Sequence, residues 1–165
     1  MLADDRSSEI TVPSLNKPIH QVVLSKAVFD SLSEEEKANS IVIGADTSVI
    51  LGDVIYGKPE DREDAMRILS SMCGKEHVVA TGVALFAGSK KSIFTEETRV
   101  EFYALDDLQK KLISDYCDSG SPYDKAGAYG IQDMGALLIK RIDGDYSNVV
   151  GLPVSRLARE LSNLI

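Results

Sequence analysis

Asp46 breaks a run that otherwise reads as a buried strand, Ser40-Ile41-Val42-Ile43-Gly44-Ala45, and a hydroxyl, Thr47, follows it at once. A short loop later comes Gly57-Lys58-Pro59, while a second lysine, Lys26, stands upstream in a helical-looking segment. Asp124 to Asp133 reads DKAGAYGIQD, too polar for a buried strand and too rich in glycine for a helix. A carboxylate at the end of an apolar strand can hold a divalent cation or take a proton from water. Lysines supply point charges for phosphates, and a glycine-rich loop offers backbone N–H groups to anions. Together these types are an inventory for nucleotide phosphate hydrolysis. Singly, each has a plainer reading: Asp46 as a carboxylate bonded to a loop, Lys58 as a surface lysine, the glycines as turn residues.

Other chemistries lack their signatures. The Gly-x-x-x-x-Gly-Lys-Ser/Thr phosphate loop is absent, as is the Gly-x-Ser-x-Gly turn of a serine hydrolase. His20 and His77 stand alone, and His77, just before a β-branched run, reads as a strand-edge residue. Cys73 and Cys117 have no metal-ligand spacing and read as reduced, partly buried thiols.

The elements that must position these groups follow from periodicity. Gln21 to about Leu32 is expected to be a helix with Val23, Ala27 and Val28 inward, followed by a charged helix end and turn, SEEEKANS. Ile41–Leu51 reads as a strand, with LGD as a turn. A helix to about Met72 carries Ala65, Ile68, Leu69 and Met72 on one stripe, closed by Gly74. Glu60, Asp61, Glu63 and Asp64 at its start favour the positive end of the helix dipole rather than a metal. Strands at His77–Ala87 and Ser92–Tyr103 form a hairpin, and Leu105, Leu108, Leu112 and Tyr116 mark a further helix. Ala136–Ile142 reads as a strand, NVVGLP as a connection, and the segment after Pro153 as a last helix. That helix carries a stripe of Val154, Leu157, Ala158, Leu161 and Leu164. The pattern is α/β, a mixed central sheet flanked by helices, in one domain spanning residues 1–165.

At 165 residues the chain is long enough for one substantial core, and 44% hydrophobic with 27% charged residues is ordinary for a globular protein. A net charge of −8 argues against duplex nucleic acid or an anionic membrane as the main partner. Local lysines can still gather a polyanionic small molecule in a cleft. No signal peptide or membrane-length apolar run is read from the sequence, and a cytoplasmic location is expected.

The segments IVIGADTSVILGDVIYGKP, CGKEHVVATGVALF and SPYDKAGAYGIQDMGALLIKRIDGDYSNVVGLP resemble, in the same order, the Maf family of nucleoside triphosphate pyrophosphatases. The resemblance runs from about Val23 to the C-terminus. It implies a Maf/ITPase-like fold with a central nucleotide cleft and hydrolysis between the α- and β-phosphates, assisted by Mg²⁺ or Mn²⁺. Carried over by position, it makes Asp46 the proton acceptor and the metal-binding carboxylate. Lys26 and Lys58 then lie at the phosphates, and Asp124 and Lys125 join the substrate site. Thr47 and Gln132 match base-selecting positions and resemble the branch acting on dTTP and UTP, with modified nucleotides as further substrates. The family's N-terminal strand and Ser-x-Ser-Pro-Arg-Arg loop have no counterpart in MLADDRSSEITVPSLNKP, where Glu9 is the match to a family glutamate at shortened spacing. Lower activity is expected from that difference, and a catalytically weakened nucleotide-binding or regulatory protein is the competing reading. A homodimer is left open as the assembly.

Overall fold

The computed structural model describes residues 17–164, with side chains from Val23 onward. In chain order the regular elements are α1 (Lys17–Ser31), α2 (Glu34–Asn39), β1 (Ile41–Leu51), β2 (Val54–Tyr56), α3 (Arg62–Met72), β3 (Glu76–Ala87) and β4 (Lys90–Phe102). They continue with α4 (Asp107–Asp118), β5 (Ile139–Asp143), α5 (Tyr146–Val150) and α6 (Val154–Leu164). Between α4 and β5 the chain makes three short 3-10 turns, at Ser121–Asp124, Ala126–Ala128 and Met134–Leu138. Glu9 lies outside the described residues.

The α/β reading holds: a central sheet with helices packed on it. Its strand order is β2-β1-β3-β4-β5, and each described ladder is antiparallel. β2 and β3 both run opposite to β1 and lie on either side of it, so α3 carries the chain over one intervening strand. One isolated bridge, Cys73 to Phe102, is parallel.

The β1–β3 register runs without a break from Ile41 opposite Ala87 to Ile50 opposite Val78. Side chains therefore alternate strictly between faces. Ala45 belongs to the cluster around Val83, Leu85 and Leu157, whereas Val42 packs with Phe29 of α1 on the other face. The largest cluster lies between the sheet and α3 and α4, built on Leu69, Met72, Val100, Phe102, Ile113 and Tyr116.

Sequence periodicity predicts α3 well. Ala65, Ile68, Leu69 and Met72 are all buried, and the Asp61 carboxylate accepts the Asp64 N–H at 2.8 Å as an N-cap. Gly74 follows with φ +69°, the left-handed conformation that ends a helix without steric cost.

Elsewhere packing overrides the apparent stripe. On α1, Ser25 and Phe29 face the sheet, while Val23 and Val28 are 57% and 54% exposed. Phe29 stacks on Phe86 with 5.8 Å between ring centroids, and this large contact sets the rotation of the helix. On α4 the Asp106 cap starts the helix at Asp107, leaving Leu105 and Leu108 exposed. Tyr116 is buried as the stripe predicts, joined by Gln109, Ile113 and Cys117, with the Gln109 amide donating to the Leu138 carbonyl at 3.2 Å.

Three boundaries also differ from expectation. SEEEKANS forms a helix of its own, α2, closed by a reciprocal Ser33–Glu36 capping box. The segment read as a strand from Ala136 enters as a 3-10 turn capped by Asp133, and only Ile139–Asp143 pairs with β4. NVVGLP contributes to a helix, α5, because the Asp145 carboxylate accepts the Ser147 N–H at 2.7 Å. α6 follows Pro153 as expected, burying Leu157 and Leu164, while Val154 and Ala158 are exposed.

Candidate active site

Where β2 ends, β1 loses its outer neighbour: β2 pairs only with Val49–Leu51, and among the described residues Ile41–Ser48 are paired on the β3 side alone. A cleft of about 400 Å³ opens at this edge. Because it lies at an edge, it meets side chains from both faces of β1. Asp46 and Thr47, which alternate across the strand, both border it. Asp46 is thus in the middle of β1, opposite Gly82, and not at the strand's end as its apolar lead-in suggested.

One wall of the cleft is neutral. It is formed by Thr47, Val49 and Val79 on the sheet and by Val149, Val150 and Gly151 at the end of α5. The Thr47 hydroxyl lies 2.9 Å from that of Thr81 and 3.3 Å from the Gly151 carbonyl. Behind it, the fully buried Asn148 donates its side-chain amide to the Val79 carbonyl at 3.0 Å and the Thr98 hydroxyl at 3.1 Å. These bonds tie α5 to two strands.

The facing wall carries charge. Lys58, Asp124, Lys125, Gln132 and Asp133 border it. Two loops are joined here by the Gly127 N–H, which donates to the Gly57 carbonyl at 2.9 Å. Gly127 has φ +70°, and a Cβ there would sit 2.8 Å from the Val49 side chain, so the close approach requires glycine. The Lys125 ammonium donates to the Ser121 carbonyl at 2.6 Å and to Asp124 at 2.7 Å, and lies 3.8 Å from Asp133. The hydrogen bond from Lys125, then its charge, holds Asp124 below the ordinary carboxylate range, and the Lys58 charge adds to this.

Asp133 organises the loop. It accepts from the Ser121 hydroxyl at 2.6 Å, the Gly135 N–H at 2.9 Å and the Tyr116 hydroxyl at 3.4 Å. Burial pushes its pKa up, but these bonds and the Lys125 charge outweigh burial and leave it lowered. Tyr116 accepts in turn from the Gly130 N–H at 3.0 Å, and burial foremost pushes its phenol up to about 12.

His77 is a core residue and not the strand-edge group expected. β4, the glycine-rich loop and Phe102 enclose it, leaving 1% exposed. Its Nε2 lies 2.8 Å from the hydroxyl of Tyr129, which borders the cleft, and Nδ1 has no partner among the described residues. Burial lowers its pKa to about 4.

The structure thus brings together five of the residues singled out from sequence besides Asp46: Thr47, Lys58, Asp124, Lys125 and Gln132. Lys26 stands apart from them, exposed on α1 and paired with Asp30 one turn on. Asp133 and Tyr129 lie in the loop singled out from sequence without being named there as site groups, and Thr81, which stands behind Thr47, is not indicated by the sequence. Asp133, two residues before Gly135, carried an Asx-turn signal, whereas Thr81 looks like any β-branched strand residue.

The sequence model of the Maf-like protein family matches residues 5–164. The chain belongs to the Maf family. Among its relatives, a dTTP/UTP pyrophosphatase of Geobacillus sp. (strain WCH70) is 52% identical over 126 residues, covering 76% of this chain and 66% of that protein. A dTTP/UTP pyrophosphatase of Thermosipho africanus is 46% identical over 121 residues, 73% of this chain and 62% of that protein. That of Carboxydothermus hydrogenoformans is 45% identical over 152 residues, 91% of this chain and 80% of that protein. The matched stretch therefore spans under two thirds of the first two relatives. No described helix of this Maf-family chain is long and apolar enough to cross a membrane.

Proposed function

We propose that this protein is a nucleoside triphosphate pyrophosphatase acting on dTTP and UTP, releasing the monophosphate and pyrophosphate. One observation carries the reading: a single cleft gathers a strand carboxylate, Asp46, with two lysines, Lys58 and Lys125, supplied by separate loops. The family membership and the relatives named dTTP/UTP pyrophosphatase support it.

In this reading water attacks the α-phosphorus and its proton passes to the Asp46 carboxylate. The new P–O bond forms as the bond to the α,β-bridging oxygen breaks, and pyrophosphate leaves with that electron pair. Lys58 and Lys125 face the phosphates, and Lys125 exchanges its bond to Asp124 for a phosphate oxygen. Thr47 and Gln132 contact the base. Lys26 has no role in the cleft as it stands, and Asp133 keeps the loop in shape.

A divalent cation belongs to the same proposal. Asp46 supplies a carboxylate at the cleft, while Asp124 and Asp133 already accept bonds from the loop. Among the described residues no group of three or more His, Cys, Asp or Glu is placed to hold a metal. One carboxylate completed by substrate oxygens and water suits Mg²⁺ or Mn²⁺. Such an ion, when bound, supplies neutralisation of phosphate charge.

The test is pyrophosphate release from a panel of UTP, dTTP, CTP, ATP and modified uridine nucleotides with Mg²⁺ or Mn²⁺. Turnover led by UTP and dTTP is expected. Binding of these nucleotides without turnover would favour a regulatory, catalytically weakened protein.

A further inference from the structure

Thr81 is fully buried, borders no part of the cleft, and yet makes the shortest contact of the Thr47 hydroxyl, at 2.9 Å. Two further acceptors complete the set: the Gly151 carbonyl, 3.3 Å from Thr47, and the Asn148 carbonyl, 3.5 Å from Thr81. A hydroxyl has one proton to donate and two lone pairs to accept with. The four oxygens can be connected in two directions. In the first, Thr81 donates to Thr47 and Thr47 donates to Gly151. In the second, Thr47 donates to Thr81 and Thr81 donates to Asn148. Both directions lead to one result: the proton of Thr47 points into the protein, and what it shows the cleft is a lone pair.

We propose that Thr81 is a positioning residue which fixes Thr47 as a hydrogen-bond acceptor, so that the neutral wall selects bases presenting an N–H there. Uracil and thymine carry such a donor at their imino nitrogen, whereas the same ring nitrogen of cytosine is itself an acceptor. Cytosine would set two lone pairs against each other, and an unmatched polar contact in a partly buried site is costly. Both carbonyls come from the α5 segment, which Asn148 and Thr98 hold to β3 and β4. The acceptor state is therefore a property of the packed fold. This inference deepens the proposed function, resting on a pyrimidine base lying against Thr47.

Thr81→Val keeps the shape and removes the hydroxyl, leaving Thr47 only the 3.3 Å bond to Gly151 and freeing it to turn its proton into the cleft. Thr81→Ser keeps the hydroxyl. Equilibrium binding of UMP and CMP is measured by calorimetry for the parent and both variants, alongside kcat/KM for UTP and CTP. The parent is expected to prefer the uracil form, the Val variant to lose on the order of tenfold of that preference, and the Ser variant to restore it. A merely structural role for Thr81 would weaken both nucleotides alike and leave their ratio unchanged. An unchanged ratio in Thr81→Val, or a parent with no preference for UMP, overturns the inference. Selective UMP binding that vanishes in Thr81→Val, without turnover of UTP, would uphold Thr81 and reject the pyrophosphatase reading.

Discussion

The two walls of the cleft are built on opposite principles. On the β1–α5 wall, hydroxyls and carbonyls satisfy one another within 2.9–3.5 Å and no charge faces the cavity except Asp46 at the strand edge. On the loop wall, Lys58, Asp124, Lys125 and Asp133 supply charge, held by 3-10 turns and by glycines that allow close backbone approach. A wall of regular structure fixes a hydrogen-bond pattern, which suits telling one neutral base from another. A wall of pinned loops holds charges that can trade partners, which suits a polyphosphate. In the proposed function the loop wall carries the charge for phosphates, the base is met from both walls by Thr47 and Gln132, and Asp46 stands on the strand between them.

Changes at the reacting centre should cost rate for every nucleotide, whereas changes at the neutral wall should alter ratios. The largest effect is expected at the junction. Asp46→Asn keeps the size of the side chain but removes the proton acceptor, and should lower kcat by about 10²–10⁴-fold for UTP and dTTP alike. Circular dichroism and thermal melting should stay near parental. A variant with parental turnover would make Asp46 structural.

Beneath the loop wall, His77 supports Tyr129, and its titration reads out on stability. Its pKa is lowered by burial, from 6.5 to about 4. Between those values the unfolded chain binds the extra proton and the folded chain does not. This contribution is therefore intact above about pH 6.5 and is lost as pH falls toward 4, by roughly 3 kcal/mol at full extent. Urea unfolding of the parent and His77→Leu at pH 7, 6, 5 and 4 should show the parent's steeper decline in that window. Parallel slopes would contradict the burial of His77 against Tyr129.

The smallest effects separate two lysines that sequence placed together. Lys58→Ala should reduce kcat/KM by about 10–100-fold, as for a lost charge-assisted bond of roughly 1.5–3 kcal/mol. Lys26→Ala should stay within about twofold, because an exposed pair with a residue one turn away contributes little. A larger loss at Lys26 than at Lys58 would mean that α1 approaches the cleft when substrate binds.

That pair also marks what the sequence made legible. Asp46, Lys58 and the Asp124–Asp133 loop stand out together as groups for phosphate chemistry, but each alone also reads as a structural, surface or turn residue, and their roles rest on the resemblance to the Maf family. The position of Lys26 depends on the rotation of α1, which Phe29 sets by stacking on a strand more than fifty residues away, so no local period reveals it. The exposed Leu108 follows from the Asp106 cap and the Gln109 bond to Leu138, again a long-range contact. Thr81 was hidden for a different reason. Its significance lies in which hydroxyl stands opposite it across β1 and β3, and register is a property of pairing.

If water activated at Asp46 attacks the α-phosphorus of a nucleotide in this cleft, its oxygen must end in the monophosphate. Hydrolysis of UTP in ¹⁸O-enriched water, with the products read by mass spectrometry, follows that oxygen. One heavy oxygen in UMP, none in pyrophosphate, and loss of labelled product in Asp46→Asn are expected. Label in pyrophosphate, or UDP and inorganic phosphate as products, would rule out attack at the α-phosphorus.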